Sequence, residues 1–258
     1  MIKHFCSGRL ENFCLRERIH LGDTLIALNV IYNLCKQERF SAALYAHNMH
    51  VVRQLMEVFD YEGLIVPCAM RKSPMFNDIK FGLPLQTGEY HDNNWCGEIF
   101  GTSTLQMQSI RCFELPKHKL GKHDRDNYTC FHIMGNSEQW NKPRLKSWEV
   151  EAFMKLFCDQ ESVLVGGPAD KPFQGRSSHF ADIKRQCEFM LRSSGFRGVD
   201  SGMSHLAGTL GLDGDVVVQA IEEGYHRCVE RAFNFMYPTL RIHSRGALKS
   251  CFAGGSVQ

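Results

Sequence analysis

The segment GVDSGMSHLAGTLG, residues 198–211, places an acid, two serines and a glycine directly before a helical pattern. The preceding GFRGVD has the character of a strand, so Asp200 falls at a strand's carboxyl end and the next residues begin a helix. Amides in a first helical turn have no acceptor within the helix and lie at the positive end of its dipole, so they can hold a phosphate. The predicted amide donors are Ser201, Gly202, Met203 and Ser204.

The same residue types also suit a helix start without any ligand. Asp200 or Ser201 would then cap the helix, and His205 would pack beneath it. The segment alone leaves both interpretations open.

Strand and helix patterns alternate through the second half of the chain around this segment. The predicted strands are YTCFHIMG, SVLVGG, GFRGVD and DVVVQA, and the predicted helices are SWEVEAFMKLFCDQ, HFADIKRQCEFMLRSS, MSHLAGTLG and IEEGYHRCVERAFNFMY. Such alternation predicts a parallel sheet, whose ligands bind at the carboxyl ends of the strands.

The first half shows the same alternation more briefly. A glycine turn, HLGD, opens a helix in TLIALNVIYNLCKQE, and FSAALYAH, NMHVVRQLMEVFDY and GLIVPC follow as strand, helix and strand. The pattern weakens over residues 70–115, which we assign to loops and short strands, and the charged PKHKLGKHDRDN predicts an exposed connection. We therefore predict an α/β protein with two doubly wound, Rossmann-like lobes, residues 1–125 and 126–258, facing a central cleft.

Composition excludes several classes of protein. The net charge of +2 over 258 residues gives no general attraction to nucleic acid, although basic clusters can act locally. The eleven cysteines are scattered without a CxxC pair, which predicts reduced core thiols in a cytoplasmic protein. No apolar run approaches the roughly 18 residues of a membrane span, and no GxxxxGK[ST] loop indicates a nucleoside triphosphatase.

Three segments resemble the heptosyltransferases of glycosyltransferase family 9. VDSGMSHLAG is similar to the family's D-S/T-G-x-x-H-L-A signature, whose loop holds the donor diphosphate. HLGDTLIALNVIYNL resembles its amino-terminal glycine–aspartate segment, and FHIMGNSEQWNKPRLKSWEVEAFMKLF with VLVGGPAD resembles its strand, lysine-x-tryptophan, helix and glycine-pair strand. The resemblance covers about two thirds of the chain and is weakest over residues 66–127.

This resemblance implies a GT-B fold and an inverting transfer of a sugar from a nucleotide-diphosphate sugar to a hydroxyl acceptor. The first lobe would bind the acceptor and the second the donor, with no cofactor besides the nucleotide-sugar co-substrate. GT-B enzymes generally act without a metal, and no DxD-like or histidine-rich cluster occurs, so we expect none. Asp23 matches the family's proposed catalytic aspartate and would act as base, whereas its structural alternative is the N-cap of a helix over residues 24–36.

The resemblance also assigns donor-binding roles in the second lobe. Asp200 would orient the donor sugar or support the phosphate loop, and His205 would hold that loop by a hydrogen bond. Lys146 matches the lysine of the family's lysine-x-tryptophan motif and would place a charge at the phosphates. Lys142 and Arg144 compete for that role, and all three cations also suit a solvated loop.

Two further positions extend the donor site. Ser137, after the first strand of the second lobe, aligns with a hydroxyl that contacts phosphate. Asp182 is the nearest candidate for the acid that recognises the nucleotide ribose, at an offset register.

The sequence leaves two acceptors open. A lipopolysaccharide core sugar is the family default, whereas bacteriophage enzymes glycosylate hydroxymethylated cytosine or uracil in DNA. We favour the DNA acceptor because four basic segments, HFCSGRLENFCLRER, MRKSPMF, KHKLGKH and RIHSRGALK, could contact phosphates. A catalytically inactive nucleotide-sugar binding protein is the alternative from another class, and Asp23 distinguishes it from an enzyme.

Overall fold

The computed structural model describes residues 9–15, 20–68, 77–78, 110, 112–121, 124, 126–134, 145–166, 177–179, 181–219 and 223–253. The chain divides into two compact units, Met1–Lys119 and Leu120–Gln258. Each unit contains a parallel β-sheet whose strands are connected by helices. The predicted α/β class is therefore confirmed.

The first unit is built on a four-stranded parallel sheet in the order β4-β2-β1-β5, with a separate antiparallel pair β3-β6. Its elements are β1 (Leu10–Leu15), α1 (Leu21–Glu38), β2 (Ser41–Ala46), α2 (Met49–Val58), β3 (Phe59–Asp60), β4 (Ile65–Pro67), β5 (Asn77–Asp78) and β6 (Lys117–His118). Strand β1 was not predicted, yet it pairs with β2 along its whole length and with β5 on its other side. Its Phe13, Cys14 and Leu15 are buried.

The second unit is built on a six-stranded parallel sheet in the order β12-β11-β10-β7-β8-β9. Its elements are β7 (Thr129–His132), α3 (Ser147–Phe157), β8 (Val163–Gly166), β9 (Ser177–His179), α4 (Ile183–Arg192), β10 (Gly195–Val199), α5 (Gly202–Thr209), β11 (Gly214–Val218), α6 (Glu223–Met236), β12 (Leu240–Ser244) and α7 (Gly246–Ala253). The predicted strands β7, β8, β10 and β11 and the helices that follow β7, β10 and β11 are confirmed.

Two parts of the second unit differ from the sequence prediction. The helix predicted over HFADIKRQCEFMLRSS begins only at Ile183, because Asp182 caps it and His179 belongs to β9. The segment RIHSRGALK, predicted to supply cations to phosphates, forms most of β12 and the start of α7, two elements that the sequence did not predict.

The strand order is that of a doubly wound sheet. When β7 to β12 are numbered 1 to 6 and the sheet is read from β9, the order is 3-2-1-4-5-6. The chain therefore leaves β7 towards one edge of the sheet and leaves β10 towards the other. Right-handed crossovers then place α3 and α5 on opposite faces of the sheet. The resulting switch point lies between the carboxyl ends of β7 and β10, where ligands of such sheets bind.

One face of this sheet is covered by α3 and α7 together. Their apolar side chains enclose a core with the strands, formed by Phe131, Ile133, Ala152, Phe153, Leu164, Val217 and Leu248. Burial of these side chains stabilises the unit through the removal of apolar surface from water.

Helix α5 is fixed by close packing against α6. The His205 ring lies 4.6 Å from the Phe233 ring and forms a 3.2 Å hydrogen bond with the Tyr237 hydroxyl. A Cβ atom at Gly208 would lie 2.4 Å from the Tyr237 ring, so only glycine permits this approach. Contacts of His205 and Gly208 with Phe233 and Tyr237 thus fix the position of α5.

Four of the seven cysteines whose side chains the structure describes lie in the protein interior, where the sequence predicted them. Cys14, Cys35, Cys130 and Cys187 are buried, whereas Cys112 is exposed. Burial raises the pKa of Cys35 and Cys130 to about 12, so these thiols stay protonated near neutral pH. In the described ranges, no helix is both long enough and apolar enough to cross a bilayer.

A buried ion pair joins the starts of α3 and α7. The Arg245 guanidinium donates two hydrogen bonds to the Glu149 carboxylate, one of them 2.5 Å long, and both side chains are buried. Burial alone would raise the pKa of Glu149, but the hydrogen bonds from Arg245 and the Lys146 amide outweigh it and lower that pKa. The carboxylate is therefore ionised in the folded protein.

We expect Glu149→Gln to destabilise the second unit at neutral pH. Glutamine can still accept the Lys146 amide, but Arg245 keeps its buried charge without a counter-ion, which costs about 3–5 kcal/mol. Since folding lowers the pKa of Glu149, its contribution is present above the unfolded-state value of about 4.3 and is lost as pH falls through the folded-state value. Thermal unfolding by circular dichroism should thus show a deficit that shrinks in acid.

The matched control is Glu151→Gln, which removes a carboxylate from an exposed position of the same helix. It should change stability by less than about 0.5 kcal/mol at any pH. Equal stability of the Glu149 and Glu151 variants would contradict the structural role of the ion pair.

Candidate functional site

Asp200 joins the carboxyl ends of two neighbouring strands. It follows β10 directly and is 3% exposed, and its Oδ1 accepts a 2.8 Å hydrogen bond from the amide of Gln219, which follows β11. The Asp200 amide in turn donates to the Val217 carbonyl at 3.2 Å. The start of α5 is therefore anchored beside the switch point of the sheet.

The first turn of α5 offers two amides to a ligand. Ser201 is the N-cap residue in an extended conformation, and its carbonyl accepts from the amides of Ser204 and His205 at 3.0 and 3.2 Å. Gly202 and Met203 are the first two residues of the helix and have no acceptor one turn earlier. The Ser204 amide, predicted as a phosphate donor, is thus already hydrogen bonded within the turn.

The two serines of this turn have different environments. The Ser204 hydroxyl is buried and donates to the Val199 carbonyl, so it ties the turn to the end of β10. The Ser201 hydroxyl is also inaccessible and has no hydrogen-bond partner among the residues that the structure describes. A buried hydroxyl without a partner is costly, so a ligand oxygen at this point would stabilise the turn.

A hydrogen-bond network extends from this turn to α3 and α7. The Arg245 guanidinium donates a 3.0 Å hydrogen bond to the Gln219 carbonyl, while the Gln219 amide donates to Asp200. Lys146 is the N-cap residue of α3, and its amide donates to Glu149 Oε2 at 2.7 Å. The backbone of Lys146 and the carboxylate of Asp200 are therefore linked through Glu149 and Arg245.

A cavity of about 560 Å³ lies at the same edge of the sheet. Its walls come from the starts of α3 and α7 and from the first half of α6. Lys146 lines it, whereas residues 200–205 do not. The structure thus brings Lys146 and the α5 start to one edge of one sheet, but into separate surroundings.

Asp23 lies in the first turn of α1, at the carboxyl edge of the first unit's sheet. The helix begins at Leu21, three residues before the predicted start, so Asp23 is not the N-cap residue. Its Oδ2 accepts a 3.2 Å hydrogen bond from the amide of His20, which is the N-cap residue. Asp23 is only partly buried, so water or a substrate hydroxyl can approach it.

Asp182 caps α4 in the ordinary way. Its Oδ1 accepts hydrogen bonds from the amides of Lys184 and Arg185 at 2.7 and 3.2 Å. Capping of α4 therefore explains why an aspartate occupies this position, and no ligand is needed to explain it. Three other predicted donor-site residues, Ser137, Lys142 and Arg144, lie outside the described residues.

Sequence reasoning missed the residues that organise this edge. Glu149 lies in α3, Gln219 directly after β11 and Arg245 between β12 and α7, and the first and last are 96 positions apart. The available local signal was the spacing of Lys146 and Glu149, which is that of a helix N-cap and N3 residue.

No protein-family model and no curated protein matches this chain. Among solved structures, it is similar to the dodecameric iron-containing heptosyltransferase TibC in complex with ADP-D-β-D-heptose, at 12% sequence identity and a TM-score of 0.54. That alignment covers 92% of this chain and 64% of the TibC chain, so this chain spans less than two thirds of TibC.

The chain is also similar to a family 9 glycosyl transferase from Veillonella parvula, at 11% identity and a TM-score of 0.52. This alignment covers 96% of this chain and 90% of that one. At such low identity the likeness establishes the fold alone: the chain has an α/β fold similar to those of glycosyltransferase family 9 structures.

Proposed function

We propose that this chain is a glycosyltransferase that moves a sugar from a nucleotide-diphosphate sugar to a hydroxyl acceptor, with inversion at the anomeric carbon. The observation that carries the proposal is the position of the α5 start beside the switch point between β7 and β10. This position suits an anionic ligand, and the fold is similar to that of glycosyltransferases.

The donor diphosphate would bind at the start of α5. The amides of Gly202 and Met203 lie at the positive end of the helix, and the buried Ser201 hydroxyl can donate to a phosphate oxygen. Charge builds up on the diphosphate as the glycosidic bond breaks, so these fixed donors stabilise the transition state more than the ground state. Asp200 and Gln219 hold the turn and need not contact the ligand.

Asp23 would accept the proton of the attacking hydroxyl. A carboxylate near the hydroxyl strengthens the nucleophile as the new bond forms. The Oδ2 atom of Asp23 accepts the capping hydrogen bond from the His20 amide, which orients the carboxylate. We propose that transfer needs no metal, because the amides at the positive end of α5 supply hydrogen bonds to the leaving diphosphate.

We favour a saccharide acceptor over DNA, because arginines in two of the four basic segments pair with carboxylates, while a third segment, MRKSPMF, lies outside the described residues. In the basic segment RIHSRGALK, Arg241 binds Asp215 and Arg245 binds Glu149, so these two arginines already have carboxylate partners. In the amino-terminal segment, Arg9 pairs with Glu11 and the following apolar side chains are buried in β1. The name of the similar structure TibC identifies only the sugar that TibC transfers, heptose. For this chain we propose a lipopolysaccharide core acceptor, which is the default of the family that the sequence resembles.

We expect the protein to transfer sugar to a lipopolysaccharide core acceptor. ADP-D-β-D-heptose is the first donor to test, because TibC was solved in complex with it. The assay incubates the protein with a panel of nucleotide sugars and two acceptors, a lipopolysaccharide core and hydroxymethylcytosine DNA, and follows both masses by mass spectrometry. Transfer only to the DNA would show that the proposed saccharide acceptor is wrong. Absence of transfer to either acceptor would favour a nucleotide-sugar binding protein.

Asp23→Asn should lower the rate of transfer by about 100-fold or more while donor affinity stays within a few fold. General bases contribute about 10²–10⁴-fold, and asparagine keeps the size and an acceptor for the His20 amide. Single-turnover rates give the first quantity and calorimetric titration with the donor gives the second.

The control is Asp182→Asn, which makes the same chemical change at the cap of α4. Its rate of transfer should stay close to that of the unmodified protein, since asparagine is an equally good cap. Full activity of the Asp23 variant would exclude Asp23 as the base.

A further inference from the structure

The cavity beside α3, α6 and α7 carries more positive than negative charge. Lys146, Arg227, Arg245 and Lys249 line it together with two carboxylates, Glu149 and Glu230. With His226 neutral, the lining has a net charge of +2. The volume of about 560 Å³ lies within the range of small-molecule sites.

One of the two carboxylates is already paired. Glu149 forms the buried ion pair with Arg245, whereas Glu230 lies 3.7 Å from the His226 ring one helical turn away and keeps its negative charge beside a neutral ring. Lys146 and Lys249 have no carboxylate within salt-bridge distance in the part of the chain that the structure describes. Both lysines are exposed, so their ammonium groups can meet a ligand from solution.

Two helix starts add to this positive field. Lys146 is the N-cap residue of α3, and α7 begins at Gly246, which also lines the cavity. The Glu149–Arg245 pair fixes the two helix starts beside each other. In addition, His226 Nε2 is inaccessible to solvent and has no hydrogen-bond partner among the described residues.

We propose that this cavity is a phosphoryl-binding site in which Lys249 is a second ligand-contacting cation beside Lys146, the lysine that the family resemblance already assigns to the donor phosphates. The site is separate from the α5 start, because residues 200–205 do not line it. Trp148 forms part of the wall and offers an aromatic surface to the sugar or base attached to the phosphoryl group. Lys249 lies in the first half of α7 and ends the basic segment RIHSRGALK, which the sequence analysis assigned to DNA phosphates and not to the donor.

The phosphoryl group could belong to a nucleotide diphosphate or to a phosphorylated saccharide. Both carry the same anionic chemistry, and both are compatible with a transferase. The assignment of either role rests on the proposed function, whereas phosphoryl binding itself does not.

The test is calorimetric titration of the full chain and of its Lys249→Met variant with ADP, inorganic pyrophosphate and glucose 1-phosphate. We expect the variant to bind at least one of these about fivefold more weakly, because it lacks one exposed charge contact. Added salt should weaken binding more in the unmodified protein than in the variant. Adenosine and glucose, which lack a phosphoryl group, should not respond to the substitution.

Lys155→Met is the matched control, since Lys155 is an exposed lysine of α3 that does not line the cavity. If the Lys249 variant loses affinity only for ADP, the ligand is a nucleotide. If it loses affinity only for glucose 1-phosphate, the ligand is a saccharide phosphate. Unchanged binding in the Lys249 variant, equal loss in the control, or no phosphoryl binding at all would overturn the proposal.

Transfer assays on the same variants separate this inference from the proposed function. If the protein transfers sugar but the Lys249 variant binds phosphoryl ligands normally, the proposed function stands and the phosphoryl site is wrong. If phosphoryl binding depends on Lys249 but no sugar is transferred, the phosphoryl site stands and the proposed function is wrong.

Discussion

The buried pair of Glu149 and Arg245 holds together the carboxyl edge of the second sheet. Two charges removed from water are tolerated only when each finds several partners, and here the guanidinium has the carboxylate and the Gln219 carbonyl. The carboxylate also receives the Lys146 amide. Through Gln219 the same network reaches Asp200, so the beginnings of α3, α5 and α7 are set relative to one another.

This rigidity matters for the chemistry proposed. A helix start stabilises developing charge best when its amides are already oriented, because no reorganisation is then needed during the reaction. Contacts below the ligand-facing turn provide this orientation: Ser204 binds the Val199 carbonyl and His205 packs on Phe233. The residues of the 199–208 segment thus divide into those that we propose to face a ligand and those that hold the turn.

Local sequence patterns predicted the parts of the fold that depend on local physics. Apolar runs such as CFHI and VLVG gave buried strands, and amphipathic runs gave α3 and α6. Strand β12 was missed because it lies at the sheet edge and carries Arg241 and His243, whose partner Asp215 belongs to the neighbouring strand. Charge pairing of this kind depends on the register between strands, which the sequence alone does not show.

The candidate site was predicted in the same uneven way. Short motifs predicted a helix start at α5 and a helix after HLGD, although α1 begins three residues earlier than expected. The roles proposed for the α5 amides and Asp23 stay predictions. The cavity could not be predicted, because Lys146, His226 and Lys249 come together only through the packing of three helices.

The strand order of the second unit also shapes how the chain folds during synthesis on a ribosome. Strand β7 is made first and lies inside the sheet, with β8 and β9 added on one side before β10 closes the other. At about 5–20 residues per second, the roughly 60 residues between β7 and β10 keep that inner edge open for several seconds. During this interval the unpaired edge of β7 is the segment of the nascent unit most in need of protection by a chaperone.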